Sequence, residues 1–215
     1  MEKINIEFEF SLESEVRRVM ETISNLEWFK KNNYRVLLPN NLNINEITSD
    51  SITRMVESEF DIKNFQEAEV AIRKSWEGNN VFINKINKKM IGSFLLEKVK
   101  VILTRYGTQG SYVVPDSLII NISNIPPQFL IKTVIHESLH LMIESFIKKY
   151  SVDHWVKEYI VDSIMNLEYE SRFKMQPVPQ YALAVDAIFK ESYPDILAVI
   201  EKSASIMRPI YIRME

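Results

Sequence analysis

The pentad His136-Glu137-Ser138-Leu139-His140 lies within a strongly apolar stretch and is the most informative feature of this chain. Val134 and Ile135 precede it, and apolar residues follow it at helical spacing. Two histidines four residues apart occupy one face of a helix, so both imidazoles can bind a single metal ion. Glu137 follows the first histidine and could reach a water bound to that metal. The pentad therefore predicts a buried helix that carries two metal-ligating histidines.

The composition is that of an ordinary globular protein. Of 215 residues, 46% are hydrophobic and 26% are charged, and the net charge is −3. This charge gives no indication of a nucleic-acid or anionic-membrane partner. No apolar run approaches about 18 residues, so we expect no membrane span, and acidic residues near the start interrupt any secretory signal. We therefore expect a cytoplasmic protein that binds neither nucleic acid nor membranes, and the oligomeric state stays open.

The spacing of apolar residues predicts an α+β fold. The predicted strands cover residues 4–10, 34–38, 99–104 and 112–122. The predicted helices cover residues 11–29, 47–91, 126–150, 152–173, 181–191 and 196–207. Within these ranges Gly78-Asn79-Asn80 predicts a helix break, and Ser151 or Asp153 is the expected cap of the helix that follows the pentad helix. Pro115 lies inside the last strand and indicates an edge strand or a bulge. The strands thus lie mostly before residue 125, and the C-terminal part is helical.

A zinc ion bound by two histidines needs a third protein ligand and an open position for water. The chain has no cysteine, which excludes Cys-based zinc sites, disulfides and thiol nucleophiles. The metzincin pattern requires a Gly and a third His soon after the pentad, but Ile143 and Phe146 stand there. A carboxylate further on is the other solution. Glu158 and Asp162 lie four residues apart in the next predicted helix, hence on one face of it.

The pentad and a Glu-x-x-x-Asp motif that begins 18 residues after His140 together resemble the pattern of the gluzincins, the thermolysin-like zinc metallopeptidases. The resemblance covers about residues 99–173. It implies that Glu158 is the third zinc ligand and that Asp162 accepts the outer N–H of His136, which fixes the tautomer of that ligand. It also implies that Glu137 is the general base of a hydrolase, which passes a proton from a zinc-activated water to the leaving amine of a peptide or protein substrate.

The length of the chain predicts one domain over residues 1–215, and the resemblance implies that this domain is zincin-like. Its parts would be an N-terminal α+β region (1–95), a metallopeptidase core (96–175) and a helical tail (176–215). A small mixed sheet would place an edge strand beside the pentad helix. Ser111, Tyr112 and Val113 would belong to that strand and could pair with an extended substrate; a plain core hairpin is the other interpretation.

The resemblance leaves the donor for the reaction's oxyanion unassigned, because no histidine follows residue 154 to take the role that it has in thermolysin-like enzymes. The candidates are Tyr169, Arg172 and Tyr181. The first two lie about 16–21 Å beyond Glu158 along an unbroken helix, so they could reach the site only if the helix breaks or bends back. His154, one turn before Glu158, is a spare ligand, a substrate contact or a histidine near solvent.

The missing histidine keeps an alternative function open. The chain could be a catalytically weak or inactive protein of gluzincin fold with a binding or regulatory role. A helical interaction protein with an accidental pentad is a third hypothesis.

Overall fold

A computed structural model describes residues 4–44, 47–90, 95–123, 125–169 and 175–212. Within these residues the chain forms a mixed α+β structure with a four-stranded sheet. The strands are β1 (Asn5–Glu9), β2 (Lys98–Thr104), β3 (Gly110–Val113) and β4 (Ser117–Asn121). The helices are α1 (Leu12–Ser24), α2 (Leu26–Lys31), α3 (Ser49–Glu59), α4 (Ile62–Lys89), α5 (Leu130–Tyr150), α6 (His154–Ile164), α7 (Val185–Ser192) and α8 (Ile196–Ile212). Short turns of 3-10 or π helix cover Pro127–Phe129, Met165–Tyr169 and Gln180–Ala184. The predicted α+β class is confirmed, whereas the zincin-like topology stays a prediction.

The sheet has the strand order β1-β2-β4-β3. β2 lies between β1 and β4 and runs parallel to both, and β3 is antiparallel to β4. Alternate residues of β2, namely Val99, Val101 and Leu103, are completely buried, as expected for branched side chains on a covered sheet face. β3 forms an edge of the sheet, which matches the edge strand that the sequence predicted in this region.

The strand predicted over residues 34–38 is wrong, because Leu37 forms only an isolated bridge with Gly107. The single strand predicted over residues 112–122 is wrong too, because two strands and a turn occupy this range. β3 ends at Val113, residues 114–116 form the turn, and β4 begins at Ser117. Pro115 therefore lies outside the hydrogen-bonded ladder. Proline has no backbone N–H to donate to a ladder, so a turn accommodates it at no cost in hydrogen bonds.

The predicted helix break at Gly78-Asn79-Asn80 is also wrong, because α4 continues through these residues. The apolar residues on either side stay in phase: Ile72, Trp76, Ile83 and Ile86 are buried at helical spacing. Their burial outweighs the low helix propensity of one glycine, which costs about 1 kcal/mol relative to alanine.

Contacts within the chain divide it into two compact units. The sheet unit comprises Asn5–Gly78 and Lys98–Glu137, and the helical unit comprises Met1–Ile4, Asn79–Glu97 and Ser138–Glu215. The sheet unit contains the four strands and α1 to α3. The helical unit contains α6 to α8, and α4 and α5 each contribute residues to both units. The single-domain organisation over residues 1–215, with its three parts, stays a prediction.

In the sheet unit, α1 packs against α3. The buried centre of this packing is the cluster Val19, Ile52, Val56 and Tyr106. α1 begins after Ser11 because Ser11 and Ser14 form a capping box, in which each hydroxyl accepts a backbone N–H of the other residue. The exact placement of α1 matters below because α1 carries a buried arginine.

In the helical unit, α7 packs against both α6 and α8. Ile196, Val199 and Ile200 of α8 are completely buried, so the C-terminal helices are core elements of this unit. α6 begins at His154 because Asp153 caps it, with Oδ1 accepting the N–H groups of Trp155 and Val156. Asp153, one of the two predicted caps, therefore fixes where the glutamate helix starts.

Candidate metal centre

The pentad lies in the buried middle of α5. Every residue from 133 to 144 is buried, so this helix is covered on all sides for three turns. His136 is 8% exposed and His140 only 1%. Val134, Ile135, Leu139 and Met142 of the same helix are completely buried. The predicted buried helix with two histidines one turn apart is confirmed.

Glu158 of α6 joins the two histidines. One ligand atom from each of His136, His140 and Glu158 lies within 4.8 Å of those of the other two residues, and all three residues are buried. His140 Nε2 is 3.3 Å from Glu158 Oε2. Two ligands about 2.0–2.1 Å from a tetrahedral ion are separated by about 3.3 Å, so this pair already has the spacing that such an ion requires. The group could therefore hold a metal ion.

The donor set also fits the chemistry of zinc. Two imidazoles and one carboxylate form a frequent catalytic zinc site, and they leave one coordination position open. A buried carboxylate is costly unless cations or hydrogen-bond donors surround it. Nitrogen atoms approach both oxygens of Glu158, so its burial is compensated from two sides.

Near one oxygen of Glu158, His154 and Lys157 of the same helix supply the nitrogens. His154 Nδ1 is 3.9 Å and Lys157 Nζ is 3.7 Å from Glu158 Oε1. Burial lowers the pKa of His154 below its usual value, and attraction to Glu158 opposes this only in part. His154 thus lies near Oε1 of Glu158, whereas His140 lies near Oε2. The role of His154 as a spare ligand stays a prediction.

Near the other oxygen, Gln176 supplies the nitrogen. Its side-chain Nε2 donates to Glu158 Oε2 at 3.0 Å, and its backbone N–H donates to Asp162 Oδ2 at 2.6 Å. Asp162 is completely buried one turn after Glu158. One residue thus binds both carboxylates of the predicted Glu-x-x-x-Asp motif. The predicted contact of Asp162 with His136 stays a prediction.

Glu137 packs directly against the edge strand of the sheet unit. A Cβ built on Gly110, the first residue of β3, would lie 2.4 Å from Glu137 Oε1 and 2.7 Å from Thr133 Cγ2. Any side chain at position 110 would therefore displace the carboxylate. The glycine allows the backbone of β3 to approach the predicted general base closely.

Arg18 of α1 is a further buried residue of the sheet unit near Glu137. Its Nη2 donates to Thr108 Oγ1 and Ser111 Oγ at 3.3 Å each. A Cβ at Gly107, which has a positive φ of 81°, would lie 2.5 Å from Arg18 Nε. Burial lowers the pKa of Arg18, and attraction to Glu137 is among the effects that oppose this. A guanidinium group stays protonated in proteins, so Arg18 brings a cation to the segment that precedes and begins β3.

Neither Arg18 nor Gln176 was predicted as a site residue. On α1 a weak signal exists, since Glu15, Arg18 and Thr22 recur at helical spacing and all are buried. Apolar spacing alone is not a reliable guide to the buried face of α1, since Met20 is 45% exposed. For Gln176 no local signal exists, because its two partners lie 14 and 18 residues earlier in the chain.

The predicted oxyanion donors have other contacts. The Tyr169 ring packs 5.0 Å from the Phe82 ring, and the Tyr181 hydroxyl donates to Asp153 Oδ1 at 2.9 Å. Arg172 lies outside the described residues. The assignment of any of the three as an oxyanion donor stays a prediction.

The predicted substrate strand is β3. Ser111 faces Ile119, Tyr112 faces Leu118 and Val113 faces Ser117 across the ladder with β4. The N–H of Asn121 donates to the carbonyl of Gln109, so hydrogen-bonded pairs in this antiparallel ladder occur at alternate residues from Gln109 onwards. Ser111 and Val113 therefore bond to β4, whereas the backbone groups of Gly110 and Tyr112 point away from β4. The Gly110 carbonyl accepts a hydrogen bond from Thr108 Oγ1 at 2.9 Å.

No family model, curated protein or solved structure matches this chain. Among the described residues, none of the helices combines the length and the apolar character needed to cross a bilayer. The expected cytoplasmic location stays a prediction.

Proposed function

We propose that this chain is a zinc-dependent peptidase of gluzincin type, with His136, His140 and Glu158 as metal ligands. The observation that carries the proposal is the convergence of these three buried side chains, whose ligand atoms lie within 4.8 Å of one another. Two of them come from a short motif, and the third comes from a different helix that sequence spacing had singled out. An accidental pentad would not be expected to meet a buried carboxylate.

Zinc bound at this site would supply a Lewis acid that lowers the pKa of a coordinated water to about 7. The chain itself supplies the base. Glu137 lies next to the ligand His136 and is buried, so its carboxylate can take a proton from the attacking water and deliver it to the leaving amine. Gly110 and Thr133 restrict the position of this carboxylate.

The substrate in this proposal is an extended peptide. β3 is an edge strand, and the backbone groups of Gly110 and Tyr112 point away from β4. A peptide could add to this edge by main-chain hydrogen bonds. Because Gly110 also contacts Glu137, such a peptide would lie beside the general base.

A second function is favoured by one observation. Tyr169 and Tyr181 are engaged with Phe82 and Asp153, and without a donor for the oxyanion a hydrolase loses about 10²–10³-fold in rate. A metal-binding protein of the same fold with a regulatory role and little catalysis would have this arrangement.

The test combines metal analysis with peptide turnover. Purified wild-type protein should contain one zinc ion per chain and cleave an unstructured peptide library. Glu137→Gln removes the base but none of the three ligands, so it should keep the zinc and lose the turnover. Zinc without turnover in the wild type supports the regulatory alternative, and a wild type without zinc refutes both.

A further inference from the structure

Gln176 connects the two carboxylates of the helical unit through two different groups. Its backbone N–H donates to Asp162 Oδ2, and its side-chain amide donates to Glu158 Oε2. A carboxylate can only accept hydrogen bonds, so the amide must present its NH2 group to Glu158. The oxygen that it contacts is the same atom that lies 3.3 Å from His140 Nε2.

The local sequence favours a fixed orientation of Gln176. Pro177 follows it, and the residue before a proline is restricted to extended backbone conformations. A second proline at position 179 further stiffens the segment. The backbone bond to Asp162 then anchors Gln176, and the side chain can reach only a limited region around Glu158.

We propose that Gln176 is a positioning residue for the metal site, which orients the ligand oxygen of Glu158 towards the ion. A carboxylate oxygen has two lone-pair directions. The amide of Gln176 occupies one of them, which leaves the other for a cation beside His140. This inference rests on the metal-ligand part of the proposed function but not on catalysis.

The physical effect is on the free energy of metal binding. Without the amide, the Glu158 side chain could rotate about its terminal bonds in the metal-free protein, and binding would have to restrict that rotation. Groups that hold a metal ligand in this way change the metal affinity by 10- to 100-fold when they are removed. A merely structural link would change the stability of the metal-free protein without changing its zinc affinity.

The test compares two glutamine variants of the same segment. Gln176→Met keeps the length of the side chain and removes its amide, and the backbone bond to Asp162 remains. Gln180→Met makes the same change at an exposed residue four positions further along the chain. Zinc affinity is measured by competition with a chromophoric chelator, and the melting temperature is measured on the metal-free proteins.

We expect Gln176→Met to bind zinc about 10- to 100-fold more weakly than the wild type. The melting temperature of the metal-free form should also fall, because the buried carboxylate of Glu158 loses a hydrogen-bond donor. Gln180→Met should match the wild type in both. In the cobalt(II)-substituted proteins, the visible absorption should shift only for Gln176→Met, because this spectrum reports the ligand geometry.

Equal zinc affinity in Gln176→Met and wild type would overturn the proposal, and so would a loss of metal-free stability without a loss of affinity. If Gln176→Met does not fold, Gln176→Asn serves as the second variant, because its amide is one methylene too short to reach Glu158. A wild type that binds no zinc would instead overturn the proposed function, so the two failures are distinguishable.

Discussion

Replacing Gly110 by alanine tests whether the position of Glu137 determines the rate. The new Cβ would lie 2.4 Å from Glu137 Oε1 and 2.7 Å from Thr133 Cγ2, whereas ordinary contacts begin near 3.4 Å. The carboxylate must therefore move by about 1 Å, and a displacement of this size can cost about 10²-fold in rate. Because Glu137 is not one of the three ligands, the zinc affinity should not change.

The cost in stability should be much smaller than the cost in rate. The carboxylate is the mobile end of a long side chain and can move away, so the free energy of unfolding should fall by about 1–3 kcal/mol, mostly through the contact with Thr133. Gly78→Ala is the matched control, because a Cβ there meets no atom within 4 Å. It lies in α4 and should stabilise the protein by up to about 1 kcal/mol.

The assay is peptide turnover by zinc-loaded protein, with zinc content and urea unfolding measured in parallel. We expect Gly110→Ala to lose about 10²-fold in kcat and to keep one zinc per chain, and Gly78→Ala to retain full turnover. If Gly110→Ala turns over like the wild type while Glu137→Gln is inactive, the position of the carboxylate does not limit the rate, and the reasoning is refuted.

Two further predictions concern the sheet unit. Tyr112→Pro removes an N–H that points away from β4 and should abolish peptide turnover with the fold and zinc content unchanged. Val113→Pro removes a bond to β4 and should lower the melting temperature. Unchanged turnover in Tyr112→Pro, or an equal loss in the control Tyr112→Ala, would exclude pairing of the substrate with β3. Burial raises the pKa of Glu15 above 4.5, despite the N–H of Arg105 that its Oε2 accepts. Its contribution to stability is therefore present below pH 4.5 and lost as the pH rises through the raised pKa. Urea unfolding between pH 4 and 7 should show the wild type losing stability relative to Glu15→Gln. The same change in stability with pH in both proteins would contradict this.

The elements around the metal site could be predicted from sequence because their signals are local. Two histidines one turn apart need only a helix to share a face, and Pro126-Pro127 and Asp153 indicate where α5 and α6 begin. The resemblance to the gluzincin pattern then implied Glu158 as the third ligand. The structure adds that His136, His140 and Glu158 are buried together and could hold a metal ion.

The residues that the sequence did not reveal owe their positions to distant parts of the chain. Arg18 is 90 residues from Thr108 and 93 from Ser111, to which it donates. Gln176 donates to Asp162 and Glu158, which lie 14 and 18 residues earlier in the chain. No helical or strand periodicity relates it to these residues. At Gly78, burial of residues on both sides kept α4 continuous against the local preference. In each case long-range contacts decided the outcome, and one-dimensional patterns do not contain them.

The pairing of β1 with β2 has a consequence for the order of folding. Asn5 faces Lys98 across this parallel ladder, so closing it restricts a loop of about 90 residues, whereas the β3–β4 hairpin closes over a three-residue turn. The difference in loop-closure entropy is about 3 kcal/mol in favour of the hairpin. The hairpin is thus expected to form early and β1 to dock late. Until then the edge of β2 is open to pairing with other chains, so refolding at high protein concentration should favour aggregation over recovery.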